Sequence, residues 1–485
     1  MNFTMPIFAV ATPEIFLLSM TAMILLVDVF LPAKQRIWTY YLVQLTLIVT
    51  FAITVYQYRT YPHVIITFNG NYIVDKMALI LKMFICVASF FAFAYSYNYI
   101  RDRKIAIGEY YVLGLFAVLG MLVMSSGYSF LTLYLGLELL SLPLYAMVAM
   151  QKESRDATEA AMKYFVMGAF ASGLLLYGIS MIYGATGSIQ INEVSRILLM
   201  PDHHHQIVVL GLIFILAGLI FKFGAVPFHM WVPDVYQGAP TSMTLFIASA
   251  PKIAAFGMLI RILVEALPVV DAQWQSVLIL VAIASMFFGN LLAISQTNLK
   301  RMLAYSSIAH IGYMLLGIVA GPNSTEGYSA ALFYITTYVF VAAGAFAIIA
   351  LLSKDGVEFD ALEDYRGLNA RSPWLAFMML LLMFSMAGIP PTVGFFAKLG
   401  LLEALVEAHL VWLAALALLF AIIGAYYYLR IVMLMYFEEP QAQYVGTRIT
   451  IPGDMMAAIS INGVAVLGLG LLPSSLIDLC RISFS

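Results

Sequence analysis

Residues 206–240, QIVVLGLIFILAGLIFKFGAVPFHMWVPDVYQGAP, decide how the rest of the chain is interpreted. The first part of this stretch has the length and apolar character of a membrane-spanning helix, which needs roughly 20 apolar residues. Lys222 stands where the apolar run should continue, and Pro227 then removes a helical hydrogen bond. Within a membrane, such a break persists only where it is buried in protein or lines water. A charge beside the break therefore indicates a functional site.

The composition of the whole chain is that of a polytopic membrane protein. Of its 485 residues, 63% are hydrophobic and 10% are charged, and the mean hydropathy is +0.95. A soluble domain averages about 25% charged residues. The net charge of −2 gives no electrostatic basis for binding nucleic acid. The N-terminal sequence MNFTMPIFAV lacks the basic stretch of a cleaved signal peptide, so we expect the first helix to be retained.

Cysteine content and strand content argue against a redox centre in this chain. Cys86 and Cys480 are the only cysteines, whereas an iron–sulfur cluster needs about four thiolates. No convincing strand is predicted, so no strand precedes a Gly-rich nucleotide loop. We expect the chain itself to hold no cofactor and no metal. Any redox chemistry is expected on other chains.

Fourteen segments are long and apolar enough to predict an all-α protein that crosses the membrane repeatedly. They lie near residues 9–31, 38–58, 72–98, 108–125, 128–150, 158–183, 206–236, 241–264, 273–295, 301–320, 327–352, 373–408, 411–437 and 453–479. The seventh and twelfth are long and interrupted by proline. Thirteen lysines and arginines lie in the links after odd-numbered segments and four lie on the other side. Positive residues favour the cytoplasmic side, so this pattern predicts cytoplasmic odd links and two external termini.

The segments also predict an internal repeat. Helices 4–8 and 9–13 match in length and spacing at an offset of about 170 residues, and the broken seventh helix falls on the broken twelfth. An odd number of helices per unit inverts the second unit, and paired broken helices in inverted repeats are typical of transport proteins. The predicted divisions are three N-terminal helices in 1–106, a first repeat in 107–266, a second in 267–440 and a C-terminal helix in 441–485.

Five titratable residues are predicted near the middle of five different helices: Glu138, Lys222, Lys252, His310 and Lys398. A lysine at a helix centre costs about 2.5–3.5 kcal/mol on insertion scales, so interior partners and water must offset the cost. A carboxylate beside a buried lysine stabilises its charged form, so separating the two can discharge the lysine's proton. For each lysine alone, a structural or snorkelling role is the alternative. Their similar depth on five helices favours a path along which protons pass from one group to the next, which we call the proton line.

Other charged residues leave two interpretations open. Glu159 and Lys163 have the i, i+4 spacing of a stabilising helical pair, and a role in charge transfer is the alternative. His229, at the break, either relays protons or caps exposed carbonyls. The cations Lys76 and Lys82 are expected to snorkel to the membrane surface. The run His203–His205 is expected to be a surface loop, with metal binding as the alternative.

Three stretches carry a resemblance to a known family: KFGAVPFHMWVPDVYQGAPT, SQTNLKRMLAYSSIAHIGYMLLG and MAGIPPTVGFFAK. They resemble the antiporter-like subunits of respiratory complex I, and VPDVYQGAP is most similar to the subunit N (subunit 2) type. The resemblance implies two inverted five-helix bundles and one proton channel of a proton-pumping NADH:quinone oxidoreductase in the bacterial inner membrane. It also implies partner subunits, both membrane and peripheral, that hold FMN, iron–sulfur clusters and quinone. The residues that match functional positions of the family are Glu138, Lys163, Lys222, Lys252, His310 and Lys398.

Three other functions remain open from the sequence. A cation/proton antiporter subunit of a multi-subunit antiporter would show sodium-dependent transport and would lack flavin and iron–sulfur partners. A membrane subunit of a hydrogenase-type complex has a similar fold. The third is a structural scaffold, which is expected to have lost its line of charges. The presence of Glu138, Lys222, Lys252 and Lys398 argues against a scaffold.

Overall fold

Helices make up most of the chain in the computed structural model, which describes residues 5–32, 35–200, 205–353, 356–444, 446, 449 and 451–484. The helices of the first half have the bounds α1 Thr12–Phe30, α2 Ile37–Thr60, α3 Lys76–Asp102, α4 Ile107–Ser126, α5 Phe130–Val148, α6 Arg155–Thr186, α7 Ile191–Leu198, α8 His205–Phe223, α9 Trp231–Gly238, α10 Thr241–Ile247 and α11 Ala250–Leu259. Those of the second half are α12 Asp271–Ile294, α13 Leu299–Ala320, α14 Gly327–Leu352, α15 Leu368–Arg371, α16 Pro373–Ala387, α17 Val393–Glu407, α18 Val411–Phe437, α19 Gly453–Leu471 and α20 Ser474–Ile482. A π-helical turn, Ile260–Ala266, extends α11.

Thirteen helices within these ranges are long and apolar enough to cross a membrane. The predicted seventh segment is divided into α8 and α9, and the predicted twelfth is divided into α16 and α17. Two further interruptions were not predicted, at residues 248–249 between α10 and α11 and at 472–473 between α19 and α20. Pro251 follows the first interruption and Pro473 lies in the second, but the predicted segments 241–264 and 453–479 ran through both places.

A two-stranded antiparallel hairpin corrects the expectation that strands are absent. Strand β1, Ile65–Thr67, pairs with β2, Tyr72–Val74, and Thr67 lies opposite Tyr72. The turn between them contains Asn69 and Gly70, both with positive φ, which is the chemistry that tight hairpins prefer. The predicted third segment began at residue 72, but the helix begins only at Lys76. Strands this short have no periodicity that stands out from an apolar background.

Side chains with oxygen acceptors mark where several spanning helices begin. The Asp75 carboxylate accepts the Ala78 N–H at 2.8 Å at the start of α3, and the Asn298 side chain accepts the Arg301 N–H at 3.0 Å at the start of α13. Ser154 caps α6 in the same way. Such caps satisfy backbone donors that the first helical turn leaves free.

The centre of the molecule is formed by the span 241–266, α13 and α14, of which about 94% is buried. Small residues bring neighbouring helices close together. A Cβ added at Gly120 of α4 would lie 2.7 Å from the Gly136 carbonyl of α5, and one added at Gly289 of α12 would lie 2.8 Å from the Tyr305 carbonyl of α13. Close backbone approach through small residues is the usual way in which membrane helices pack, because lipid gives no hydrophobic drive for association.

Lys82 corrects the expectation that it snorkels. Its side chain is fully buried, and its Nζ lies 2.5 Å from Glu14 Oε1 and 3.0 Å from the Tyr72 hydroxyl group. The Tyr72 hydroxyl donates to the other Glu14 oxygen at 2.8 Å. The partner Glu14 comes from α1, so sequence spacing within α3 gave no sign of it. His203 and His204 of the histidine run lie outside the described residues.

Candidate functional site

Both broken helices keep their interrupted backbone hydrogen-bonded inside the protein. After α8 ends at Phe223, Gly224 adopts a φ of +72° and the Val226 N–H donates to Ser285 Oγ of α12 at 3.0 Å. After α16 ends at Ala387, Gly388 adopts a φ of +84° and the Gly394 N–H donates to Ser385 Oγ at 3.1 Å. Only glycine adopts this left-handed conformation without strain. The breaks predicted from Lys222–Pro227 and from IPPT are therefore real features of the fold.

Lys222 and Glu138 each bond to a serine side chain, but to different ones. Lys222, next to the last residue of α8, donates from Nζ to Ser141 Oγ at 2.9 Å. Ser141 in turn donates to the Leu137 carbonyl at 2.6 Å, and Glu138 accepts a hydrogen bond from Ser172 of α6. Within the described part of the chain, no ion pair of 4 Å or less joins Lys222 to Glu138. The interaction considered from sequence was direct, whereas in the structure Lys222 bonds to Ser141, which lies three residues after Glu138 on α5.

Lys252 lies at the interruption between α10 and α11. It is the third residue of α11 and is 5% exposed. Its Nζ donates to Ser307 Oγ of α13 and lies 4.7 Å from the centre of the Tyr338 ring of α14. A buried ammonium is thus held by one hydroxyl group and by the negative face of an aromatic ring.

His310 of α13 lies between two tyrosine hydroxyl groups. Its Nδ1 lies 2.6 Å from the Tyr334 hydroxyl and its Nε2 lies 3.0 Å from the Tyr428 hydroxyl. The ring centroid of Tyr338 is 4.6 Å from that of His310, so Tyr338 contacts both this histidine and Lys252. Hydroxyl groups and imidazole nitrogens each accept and donate, so this cluster can pass a proton in either direction.

Lys398 of α17 reaches back across the break to the end of α16. Its Nζ donates to the carbonyls of Met386 at 3.0 Å and Ala387 at 2.8 Å. These carbonyls belong to a helix C-terminus, where the helix dipole favours a cation. A cavity of about 20 Å³ is lined by Lys398, His310 and Tyr334, which is room for about one water molecule.

Two of the predicted residues lie away from this cluster. Lys163 is 42% exposed and forms ion pairs with Glu159 at 2.9 Å and with Asp234 of α9 at 2.7 Å. Asp234 also pairs with Arg301 at 2.8 Å. His229 lies in the break between α8 and α9, half-buried. Its Nδ1 atom is buried and has no hydrogen-bond partner among the described residues.

Comparison with known proteins supports one family along the length of the chain. The family described as "NADH:quinone oxidoreductase/Mrp antiporter, TM" matches residues 127–458. The NADH-quinone oxidoreductase subunit N of Coxiella burnetii is 51% identical over 483 residues, 99% of each chain. That of Thioalkalivibrio sulfidiphilus is 52% identical over all of both chains.

The chain belongs to the NADH-quinone oxidoreductase subunit N family. Among solved structures, a chain of respiratory complex I from Thermus thermophilus is similar to this member of the subunit N family, with a TM-score of 0.81 and 32% identity over 97% of this chain and 99% of that one. A chain of the Mrp complex from Dietzia sp. superimposes with a TM-score of 0.83 at 20% identity, over 97% and 96% of the two chains. The second likeness shows a shared fold alone.

The sequence did not reveal the uncharged serine and tyrosine residues that surround the titratable groups. Ser141, Ser307, Tyr334 and Tyr428 contact the titratable side chains directly. One signal was available for Ser307, which lies three residues before His310 and therefore on the same helical face. No such signal marked Tyr428, because it is one of three consecutive tyrosines of α18 and the contact is between distant helices.

Proposed function

We propose that the chain is a proton-translocating subunit, without a redox centre of its own, of a bacterial NADH:quinone oxidoreductase. Protons move along Glu138, Lys222, Lys252, His310 and Lys398, driven by quinone reduction on other subunits. The family assignment supports the type of complex, since relatives about 50% identical over their full length carry that name. The contacts of the buried titratable groups support the role in proton movement.

One observation carries the proposal: Lys252, His310 and Lys398 come from three helices and converge on one buried polar cluster. Tyr338 contacts both Lys252 and His310, and the cavity beside His310 reaches Lys398. A buried lysine costs about 2.5–3.5 kcal/mol to place at the membrane centre. Two lysines and a histidine that converge in this way, with the Tyr338 ring against Lys252 and His310, are difficult to explain by packing alone. A proton that leaves one amine can be accepted by the next group through a hydroxyl or a water molecule.

The separation of Glu138 from Lys222 suggests how energy is coupled to proton movement. Within the residues that the structure describes, Lys222 bonds to Ser141 of α5 and forms no ion pair of 4 Å or less with Glu138. A direct contact at about 4 Å would be worth about 4 kcal/mol at an effective dielectric constant of about 20. Moving one charge against about 200 mV costs about 4.6 kcal/mol. The free energy of this contact is therefore comparable to the cost of moving a proton across the membrane. Forming and breaking the contact can thus drive the binding and release of a proton.

We also propose that helices 4–8 and 9–13 are inverted repeats and that the chain crosses the membrane fourteen times. Close contacts between helices recur at a constant interval of 169 residues: Gly120 approaches Gly136 and Leu140, and Gly289 approaches Tyr305 and Ala309. The two broken helices occupy corresponding places in the two units. The boundaries 107–266 and 267–440 follow from this pairing.

The distribution of cations supports an orientation. What we call the basic face is formed by Arg103 directly after α3, Arg155 at the start of α6, and the start of α13. Cytoplasmic loops are enriched in lysine and arginine, so we propose that the basic face lies in the cytoplasm and that both termini lie outside. The chain is then a multi-pass protein of the bacterial inner membrane.

FMN, iron–sulfur clusters and quinone are proposed to lie on partner subunits, both membrane and peripheral. The only two cysteines of this chain are both buried, and they come from α3 and α20. An iron–sulfur cluster needs about four thiolates, so this donor set does not fit one.

The test is proton uptake by the intact complex reconstituted in vesicles, with Lys222→Ala and Lys222→Arg compared with wild type. Alanine removes the charge, whereas arginine keeps the charge but does not release its proton at physiological pH. Both variants are expected to lose coupled proton uptake. Lys152→Ala provides the matched control, because Lys152 is an exposed lysine in the loop between α5 and α6.

Wild-type proton uptake in Lys222→Ala would contradict the proposed proton line. Uptake that requires sodium and continues without quinone reduction would instead identify a cation/proton antiporter. A loss of uptake in Lys152→Ala equal to that in Lys222→Ala would show that the assay reports assembly and not proton transfer.

A further inference from the structure

Lys300 is a buried lysine that the proposed proton line does not use. It is the second residue of α13 and is 1% exposed. From the sequence it is one of the thirteen lysines and arginines in the links after odd-numbered segments. In the structure its Nζ donates to the carbonyl of Ala239 at 2.7 Å, directly after α9. A charged side chain is rarely buried this completely without a structural or functional reason.

A carboxylate faces Lys300 from the loop that follows α14. Glu358 accepts hydrogen bonds from Tyr99 and from Thr241 Oγ1, the latter at 2.7 Å, and lies 3.3 Å from Arg103. The charged groups that act on Lys300 are Glu358, Asp360 and Arg103. Glu358 is 27% exposed in its side chain, so this pair of charges lies between the interior and the basic face.

Two elements connect Lys300 to the proton line. Ser307 lies seven residues further along α13, on the same helical face and about 10 Å deeper, and it accepts the hydrogen bond from Lys252. On α9, Tyr236 lies beside Ser307 and is three residues from Ala239, the residue that Lys300 binds. Tyr236 and Ser307 are thus polar side chains that lie between Lys300 and Lys252 on two packed helices.

We propose that Lys300 is a proton-relay residue between the basic face and Lys252, with Glu358 as its counter-charge. The inference rests on the proposed function of the chain. Neutral Lys300 takes a proton from water at the basic face and becomes an ammonium. It then gives one proton to the neutral amine of Lys252 through water and the Ser307 hydroxyl. Only N–H and O–H bonds break and form, and no oxidant or reductant takes part.

A structural role for Lys300 makes a different prediction. Lysine near a helix C-terminus stabilises the last carbonyls, and the Ala239 carbonyl is such a group. Lys300→Arg separates the two roles, because arginine keeps the positive charge and the hydrogen-bond donors but cannot be deprotonated in a protein. A cap survives this substitution, whereas a relay does not.

The experiment measures proton uptake per NADH oxidised by the intact reconstituted complex. The variants are Lys300→Arg, Lys398→Arg as the reference for a blocked line, and Lys82→Arg as the control. Lys82 is equally buried but pairs with Glu14 away from the line. We expect Lys300→Arg to assemble and to lose as much proton uptake as Lys398→Arg, while Lys82→Arg retains wild-type uptake.

Wild-type uptake in Lys300→Arg beside a defective Lys398→Arg would overturn the relay and leave the proposed function intact. Wild-type uptake in both would overturn the proposed function itself. If Lys300→Arg does not assemble, Glu358→Gln decides, because it keeps the shape and removes the negative charge that favours protonated Lys300. A relay predicts that the alkaline limit of proton uptake shifts to lower pH. An unchanged pH profile would overturn it.

Discussion

Substituting Gly388 tests whether the position of the Lys398 amine controls proton movement. Gly388 follows α16 with a φ of +84°, and a Cβ added there would lie 2.8 Å from Lys398 Cδ. Alanine therefore imposes two costs, a strained backbone and a displaced lysine. Gly187 after α6 also has a positive φ, +69°, but nothing lies within 4 Å of its added Cβ. Gly187→Ala is thus the matched control for backbone strain alone.

The magnitudes follow from the geometry. A left-handed conformation costs a residue with a Cβ about 1–2 kcal/mol, and this cost applies to both variants. In Gly388→Ala the lysine must also move by about 1 Å to reach ordinary contact distance. Its hydrogen bonds to the Met386 and Ala387 carbonyls, at 3.0 and 2.8 Å, do not survive that shift. Each bond from a charged donor contributes about 1.5–3 kcal/mol.

The assay compares thermal stability and proton uptake of the reconstituted complex for the two variants. The backbone cost should lower the thermal stability of both variants by a similar amount. Gly388→Ala should be destabilised further, because it also loses the hydrogen bonds of Lys398. A displacement of about 1 Å in a reacting group can slow a step about 100-fold, so proton uptake should fall by that order in Gly388→Ala and stay near wild type in Gly187→Ala. Equal uptake in the two variants, with Gly388→Ala assembled, would refute the reasoning.

Three further predictions follow from other parts of the structure. Lys82→Met leaves the Glu14 carboxylate buried without its partner and should cost about 3–5 kcal/mol, whereas adding Glu14→Gln should restore much of it; thermal unfolding of the purified complex measures both. Tyr428→Phe removes the hydroxyl group at His310 Nε2, so it should reduce proton uptake without reducing assembly, and wild-type uptake would exclude a role for this hydroxyl. Burial opposes ionisation of Glu358, but Lys300, Tyr99 and Arg103 outweigh it and hold the pKa of this carboxyl below its ordinary value. Its stabilising effect should therefore be complete above about pH 4.3 and should be lost as the pH falls through the depressed pKa; a stability difference between wild type and Glu358→Gln that does not shrink in acid would contradict this.

The helices and their two breaks could be predicted because local chemistry determines them. Apolar runs of about 20 residues specify spanning helices. Stretches that combine glycine with proline, Gly224–Pro227 and Gly388–Pro391, interrupt two of them, whereas Pro143 lies inside α5 without ending it. The predicted span 411–437 coincides with α18, Val411–Phe437. The hairpin Ile65–Val74 and the interruption before Lys252 were missed, although Asn69-Gly70 marks the turn of the first and Pro251 follows the second.

The titratable residues were visible in the sequence because charge is rare in apolar helices, but their partners were not. Lys82 and Lys300 show the limit most clearly. Both were expected at the surface, and both are buried against groups far away in sequence, Glu14 and Ala239. Such pairing depends on how helices pack, which periodicity within one helix does not encode. Lys222 and Ser141 are a third case of the same kind.

Ordered water in the cavity between His310 and Lys398 provides the most direct test of the central claim, that buried titratable groups form one continuous proton line. The measurement is an experimental density map of the assembled complex at a resolution that shows single water molecules. The account predicts one water within hydrogen-bonding distance of Lys398 Nζ and of the Tyr334 hydroxyl or the His310 ring. A dry cavity, or a side chain that fills it and separates Lys398 from His310, would contradict the account.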